Sequence, residues 1–577
     1  MDIGIKIIIA VVVILVLIGI KMVCDEKARK KRMREFLINS WGKSADRNYS
    51  EEQWNAIVSY YKVLEKKAEE SQKHEFVDDI TWNDLDMDEV YQVWNHTRTS
   101  IGEEYLYAAL RHPIASDAEM EERERVITYL LENTQERMYL QEALAEIGKL
   151  ERMSVYDHLE LIQDMKPIGA LPHILAGVCL VGTLIGCAFA PEFMVIASIA
   201  IMGGNIISYY QAKAKVDSYI RLFMFILHMV EQCEGVARKT IPGLEKYQDQ
   251  LKKQTSCFGK YRRFCFLVNG GSGMSGDIMD SLMDYIRILF HVDLVKMSTM
   301  IREAKKYEQQ LRIMYDTIGY LDTMLSTASC RIMYGEYCVP QLSHQANGKF
   351  AVTEMYHPLI PEGVRNSITA ERSVLLTGSN ASGKSTFIKT VALNAILAQT
   401  LHTVLAENYQ ASWFCIASSM ALRDDILSQE SYYIVEIRSL KRILDLTRSS
   451  ELPVLCFIDE VLRGTNTVER IAASSRILQA IAEQGGLCFA ATHDIELTYL
   501  LEKEYDNYHF EEQVEDDKVT FDYCLREGRA CTRNAIRLLK MLGYDEKIVD
   551  DANFAIDANG EIDNLQSPPA SDKQACG

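Results

Sequence analysis

Between Ile3 and Val23 the chain is almost unbroken aliphatic sequence, interrupted only by Lys6 and Lys21. A helix of about twenty apolar residues crosses the hydrocarbon core, and Lys6 lies near enough to one end to snorkel to the headgroups. Behind it come Lys27, Arg29, Lys30, Lys31, Arg32 and Arg34, a cluster expected to stay cytoplasmic and to leave the N-terminus outside. A cleaved signal peptide would carry its charges ahead of the apolar run and a small-residue cleavage site after it, and neither occurs. Residues 1–34 are therefore read as an uncleaved anchor with a basic flank.

A second apolar region runs from Ile168 to Tyr210 and divides at Pro191-Glu192. Its halves, Ile168–Ala190 and Phe193–Tyr210, carry no charged side chain and many glycines, as membrane helices do. Lys166 precedes the pair and Lys213 and Lys215 follow it, which fits a transmembrane hairpin over 166–212 with both ends in the cytoplasm. A buried hairpin inside a soluble domain would show the same pattern, and the second half is short for a span.

Helical periodicity fills the flanks. Trp54, Ile57, Tyr61 and Leu64 share one face, as do Val126, Tyr129 and Leu130 with Leu131, over a helical region 35–165. A second helical region, 213–336, holds long periodic runs at Asp280–Val295 and Met297–Leu325. Between helices, Gly271-Ser272-Gly273-Met274-Ser275-Gly276 satisfies GxGxxG, but no strand precedes it, so it reads as a plain loop. After Tyr334 the period changes. Short β-like runs at Lys349–Thr353, Ser373–Thr377, Val454–Ile458 and Leu487–Ala491 alternate with helical stretches, the pattern of an α/β domain on a largely parallel sheet over 337–560. The polar end, 561–577, is expected to be disordered.

Composition narrows the function classes. The chain has 577 residues, too many for one core. Sixty-two basic and 81 acidic side chains leave a net charge of −19, so nucleic-acid binding would need a local basic patch. The 14 cysteines show neither CxxC pairs nor metal-ligand spacing, which points to buried thiols in a reducing compartment.

The chemistry concentrates behind the apolar run Ser373–Thr377. There Gly378-Ser379-Asn380-Ala381-Ser382-Gly383-Lys384-Ser385-Thr386 forms GxxxxGK[ST] between a strand and an apolar-periodic helix. Such a loop turns backbone N–H groups inward around phosphates, with the helix N-terminus adding partial positive charge. Lys384 would reach the β- and γ-phosphates of ATP and Ser385 would ligate Mg²⁺. A second apolar run, Val454–Ile458, ends in Asp459-Glu460: Asp459 can hold the metal, and Glu460 can act as general base on water. A third, Leu487–Ala491, ends in Thr492-His493, where His493 could face the γ-phosphate.

The order of these pieces resembles the MutS family of mismatch-repair ATPases, within the wider ABC-type group. TGSNASGKST is similar to that family's TGPNxGGKST. Ile458 to Thr467, with Arg463-Gly464-Thr465, resembles its DE-x-x-RGTST run. Ala491-Thr492-His493 with Glu496-Leu497-Thr498 resembles ATH-x-x-ELT. Ser431 to Ile437 resembles STFMVEM, and Tyr356-His357-Pro358 resembles the RHP near the adenine site. More weakly, Asn95 to Gly102 resembles the start of the family's helical core, and Leu321 to Leu325 the end of its lever. The resemblance implies a mixed fold, an all-α core and lever region carrying membrane helices followed by an α/β P-loop ATPase domain. It further implies a homodimer through the ATPase domain, in which Ser431 contacts the partner's nucleotide, the loop 463–465 crosses the interface and the stretch Asn534–Tyr544 helps dimerisation. His357 is carried over as a nucleotide contact.

The departures are also specific. No aromatic-x-Glu motif is found in an N-terminal domain of the kind that wedges into mismatches, and an anchor stands where that domain would be expected. Two function classes share the engine: a membrane-anchored MutS-like ATPase acting on DNA, or a membrane ATPase switch acting on a protein or lipid partner without DNA. An ABC-type transporter half ranks last, because three spans are few for a translocation path. The expected location is a membrane, a bacterial inner membrane by its positive-inside anchor, with the ATPase domain cytoplasmic.

Overall fold

The computed structural model describes residues 3–44, 48–70, 76–150, 152–165, 169–214, 217–265, 268, 278–345, 348–379, 382–420, 432–462, 466–515, 518–530, 544–545 and 547–550. The first half is helical: α1 (Ile3–Ser40), α2 (Glu51–Glu70), α3 (Asp79–Asp84), α4 (Met87–Trp94), α5 (Ser100–Arg111), α6 (Asp117–Glu132), α7 (Thr134–Ile147) and α8 (Val155–Leu161). It continues with α9 (Ala170–Gly186), α10 (Pro191–Lys213), α11 (Asp217–Arg238), α12 (Glu245–Thr255), α13 (Gly259–Arg262), α14 (Ile278–Phe290), α15 (Val292–Lys306) and α16 (Glu308–Tyr334). The second half alternates: β1 (Gln341–Ser343), β2 (Phe350–Met355), β3 (Asn366–Ala370), β4 (Ser373–Thr377), α17 (Lys384–Thr400), β5 (Asn408–Ser412), β6 (Cys415–Ser419) and α18 (Tyr432–Ser449). Then come β7 (Val454–Asp459), α19 (Thr467–Glu483), β8 (Leu487–Ala491), α20 (Ile495–Leu500), β9 (Tyr505–Glu515) and β10 (Lys518–Glu527).

Two compact units result. One is all helical and comprises residues 1–73, 92–109 and 121–333; the other is α/β and comprises 74–91, 110–120 and 334–577. A helical region followed by a mixed α/β domain is thus the architecture.

In the helical unit, α16 is the central element, buried along most of its length from Leu311 to Arg331. Asp322 on α16 accepts from the backbone N–H of Arg98 at 3.0 Å and of Thr99 at 2.9 Å, and from Thr99 Oγ1 at 2.7 Å. Gly102 is required there, because a Cβ would lie 2.2 Å from Asp322 Oδ2. Glu104 is equally buried and accepts from Val155 N at 2.7 Å and Tyr315 Oη at 2.8 Å, which ties α5 to α8 and α16. Two residues of the basic flank, Arg29 and Arg34, pair with Glu146 and Glu142 of α7.

Helices α9 and α10 pack as a hairpin against α14 and α15. The long periodic runs of this region break where the backbone turns. His291 adopts a left-handed conformation (φ 54°) between α14 and α15, and Tyr307 separates α15 from α16. The base of the hairpin is polar: Asn205 Nδ2 donates to Ala176 O at 3.2 Å and Leu289 O at 2.8 Å, and Tyr209 Oη donates to Asp293 at 2.8 Å. Its tip is apolar and open, with Phe189 85% and Phe193 76% exposed. Among the described residues α10 is the helix long and apolar enough to cross a membrane; α9 is shorter, at 17 residues.

In the α/β unit a six-stranded sheet runs in the order β10-β9-β4-β8-β7-β6. Strands β6, β7, β8, β4 and β9 are parallel and β10 closes the edge antiparallel. β4 and β8 are buried at every position, as strands covered on both faces must be, which is why they read as continuous apolar runs. A smaller sheet, β1-β5-β2-β3, lies beside it in sequence order. The core joins Leu375, Cys456, Ile458 and Ala490 of the sheet to Ile443 of α18 and Leu478 and Ile481 of α19.

Candidate functional site

The site forms at the carboxyl ends of β4, β7 and β8, where open parallel sheets place their ligands. β4 ends at Thr377. Gly378 follows at φ 146°, and a Cβ on it would meet Phe510 O at 2.8 Å and Ser382 Oγ at 3.0 Å. The turn closes at Gly383 (φ 101°), after which α17 begins. Both glycines therefore hold positive-φ turns in which a side chain would be strained and crowded, at Gly383 against Tyr523. Ser379 Oγ donates to Glu512 at 2.9 Å and anchors the loop to β9. Ser382 is buried, and its hydroxyl has no partner among the described residues. Asn380 and Ala381 lie outside the described residues.

Lys384 is buried, and its ammonium donates to Gly378 O at 2.8 Å and Ser379 O at 2.7 Å, so the cation lies over the loop. Ser385 Oγ donates to Asp459 Oδ2 at 2.6 Å. The next residue, Glu460, has φ 57°, a left-handed turn that ends β7, and its N–H is held by Ala491 O at 3.0 Å. His493 Nε2 lies 2.8 Å from Glu460 Oε1. Thr492 N donates to Leu376 O at 2.9 Å, fixing the β8 end to β4. Lys384, Ser385, Asp459, Glu460 and His493 thus meet although they are far apart in sequence.

A cavity of about 470 Å³ opens beside them. One wall carries Ser382 to Phe387 and Glu460; the other carries Met355, His357, Ile360 and Val364. Thr386 and His357 are therefore at the same cavity as the loop. Burial above all, with nearby Lys389, holds the His357 imidazolium down to about pKa 4, only partly offset by Asp86. The ring is neutral near pH 7. Leu359 N donates to its Nδ1 at 3.1 Å, so Nε2 carries the proton and can donate.

Residue chemistry fits a magnesium nucleotide. A hydroxyl and a carboxylate in hydrogen-bond contact are hard oxygen donors suited to Mg²⁺, and a helix N-terminus beside a buried lysine suits phosphate.

Residues 374–558 match the family model of MutS domain V. The chain is also similar to proteins named DNA mismatch repair protein MutS. That of Natronomonas pharaonis is 30% identical over 262 residues, covering 44% of this chain and 30% of its own. That of Streptococcus sanguinis is 24% identical over 521 residues, covering 80% and 59%. That of Thermotoga petrophila is 24% identical over 512 residues, covering 82% and 63%. The chain spans less than two thirds of the length of these relatives. The segment that matches MutS domain V thus lies within the α/β unit and carries the site just described.

Several positioning residues of the α/β unit escape sequence reading. Asp84 of α3 accepts from Ser418 Oγ at 2.6 Å and Met420 N at 2.9 Å, and Asp86 accepts from Lys389 at 2.6 Å. Their partners lie more than three hundred residues away, so no local pattern marks them. Arg470 holds Asp494 through two nitrogens, at 2.9 and 2.5 Å, next to His493. Buried Glu436 accepts from Leu462 N and so ties α18 to the segment after Glu460. Ser431, Arg463, Gly464 and Thr465 lie outside the described residues, as do Gly271 to Gly276 and Asn534 to Gly543.

Proposed function

We propose that the chain is a membrane-anchored, MutS-like ATPase that binds and hydrolyses ATP with Mg²⁺ in a homodimer and uses the cycle to switch conformation. The observation that carries this reading is the meeting of Lys384, Ser385, Asp459 and Glu460 at one end of the parallel sheet. Lys384 and the loop Gly378–Gly383 would hold the phosphates. Ser385 and Asp459 would hold Mg²⁺, which when bound offsets phosphate charge. Glu460 would take a proton from the attacking water at its carboxylate. His493, 2.8 Å away, would keep that carboxylate in place or reach the γ-phosphate. His357 Nε2–H and the apolar wall of the cavity would receive the base of the nucleotide.

The dimer rests on the family resemblance, with Ser431 as the contact to the partner's nucleotide. Closure would be a population shift driven by contacts that only the ATP-bound dimer makes. Anchoring rests on the apolar stretch of α1 and the open apolar tip of the α9–α10 hairpin. That hairpin favours a switch acting on a protein or lipid partner at the membrane; the similarity to proteins named for DNA mismatch repair favours DNA.

The deciding experiment measures the ATPase rate of the full chain in mild detergent, alone and with matched or mismatched duplex DNA, with Lys384→Ala as control. Equal rates for wild type and control would refute the site. A rate that responds to DNA and distinguishes mismatches selects the repair-type reading. A Lys384-dependent rate indifferent to DNA selects the membrane switch.

A further inference from the structure

The helical unit contains a second cavity, about 820 Å³, that the ATPase reading does not use. One wall is a stripe of α9: Ile174, Val178, Val181 and Ile185 recur at helical spacing. Opposite stand Val292, Val295 and Thr299 of α15. Gly182 opens the floor, since a Cβ there would meet nothing within 4 Å. The polar lining is cationic. Lys260 and Arg263 flank the groove, and Lys296, which is 7% exposed, reaches its edge. Lys296 Nζ donates to Lys260 O at 3.1 Å and Tyr261 O at 2.5 Å, so this third cation is fixed at the end of α13. Among the described residues no acidic side chain lines the groove.

We propose that this groove binds one anionic phospholipid from the bilayer, an inference that rests on the membrane reading above. One acyl chain would lie between α9 and α15, and its phosphate would sit at Lys260 and Arg263. Three features select this occupant. The charge is complementary: among the described residues the border of this apolar trough is cationic, which matches an anionic amphiphile, with its phosphate on the cations and its hydrocarbon in the trough, whereas an acidic peptide would bring no tail to fill it. The length matches, because Ile174 to Ile185 rises about 16 Å, close to one leaflet of a hydrocarbon core about 30 Å thick. The setting matches too, since the same α9 residues continue toward the exposed apolar tip at Phe189, so a lipid could enter sideways without leaving hydrocarbon. The size lies within the roughly 300–1,000 Å³ of ligand pockets.

The test reconstitutes the full chain into vesicles of equal parts phosphatidylglycerol and phosphatidylcholine. The chain is floated, extracted again in mild detergent, and its retained phospholipid is measured by mass spectrometry. Wild type should float and retain phosphatidylglycerol in preference to phosphatidylcholine by about five-fold or more. Lys260→Gln with Arg263→Gln should abolish that preference. Gly182→Leu, which fills the floor, should cut retained lipid by about five-fold while flotation and ATPase rate stay as in wild type. Wild type that floats but retains no phospholipid, or Gly182→Leu that retains as much as wild type, overturns the groove assignment and leaves the anchor standing. Failure of the wild type to float overturns the membrane reading and this proposal with it.

Discussion

Ser385 Oγ, in the first turn of α17, donates to Asp459 Oδ2 at the tip of β7 over 2.6 Å. The bond joins the start of the helix after the glycine loop to a second strand end and places two hard oxygen donors together. If they hold Mg²⁺, Asp459→Asn should lower the ATPase rate by about 10²-fold or more, because charge stabilisation at the phosphates is lost. A Mg²⁺ titration of steady-state hydrolysis checks this. An unchanged rate and unchanged metal dependence would remove Asp459 from the site.

Glu460 should behave differently from Asp459. Its backbone is left-handed, and its carboxylate lies 2.8 Å from His493, whereas Asp459 meets Ser385. Glu460→Gln should keep nucleotide affinity within about two-fold yet slow hydrolysis by about 10²–10⁴-fold, the range for loss of a general base. Fluorescent-nucleotide binding beside single-turnover hydrolysis separates the two. His493→Ala should fall between wild type and Glu460→Gln if it positions that base.

Much of this candidate site is legible in the sequence, because the glycine loop 378–383 and Asp459-Glu460 each follow a buried apolar run, and such runs announce themselves. The strands that were not legible have the opposite character. β9 and β10 carry partly exposed charged residues such as Glu511, Glu512 and Arg526, and their polar sequence resembles loop. β1 is three residues long, too short to show a period. The breaks at His291 and Tyr307 also escaped, since the apolar spacing continues through them while the backbone turns on tertiary contacts. Residues 74–91 enter the α/β unit through Asp78, Asp84 and Asp86, and residues 110–120 through Asp117, whose partners are all remote in sequence.

Acid should weaken the α/β unit through His357. Its imidazole ionises near 4 in the folded chain, below the ordinary 6.5, chiefly because it is buried. The folded state then binds fewer protons than the unfolded one between these values. The contribution is complete above about 6.5 and is lost as the pH falls through about 4. In thermal melts from pH 7.5 to 4, the stability of wild type relative to His357→Phe should fall as the pH drops. A constant difference across that window would show that His357 does not titrate as described.

Alkali should weaken the helical unit through Glu104. Burial pushes this carboxyl up to about 8, against hydrogen bonds from Tyr315, Val155 and Tyr156 that pull it down. A raised pKa contributes stability fully below the unfolded value of 4.5, and the contribution is lost as the pH rises through about 8. Glu104→Gln keeps the shape and removes the titration. The stability of wild type relative to this variant should therefore decline by on the order of 3 kcal/mol between pH 5 and pH 9. Urea unfolding at the two pH values measures it, and a parallel pair of curves would refute the assignment.

The hairpin base offers a mechanical prediction. Asn205 donates to carbonyls on both sides, Ala176 O at 3.2 Å and Leu289 O at 2.8 Å, while its own carbonyl lies 2.9 Å from His291 Nε2. One side chain thus fastens α9 and α10 to the end of α14. Leu289 O and Ala176 O lose a donor if it is removed, whereas the backbone carbonyl of residue 205 remains to meet His291. Asn205→Leu should therefore loosen the hairpin rather than unfold the unit, at a cost of about 1 kcal/mol. Hydrogen exchange of the peptide that spans Phe290 to Val295 should rise about five-fold, with exchange in α16 unchanged. A rise shared equally by α16 would mean that the hairpin and the central helix open as one body, and Asn205 would then be part of the global core instead of a local fastening.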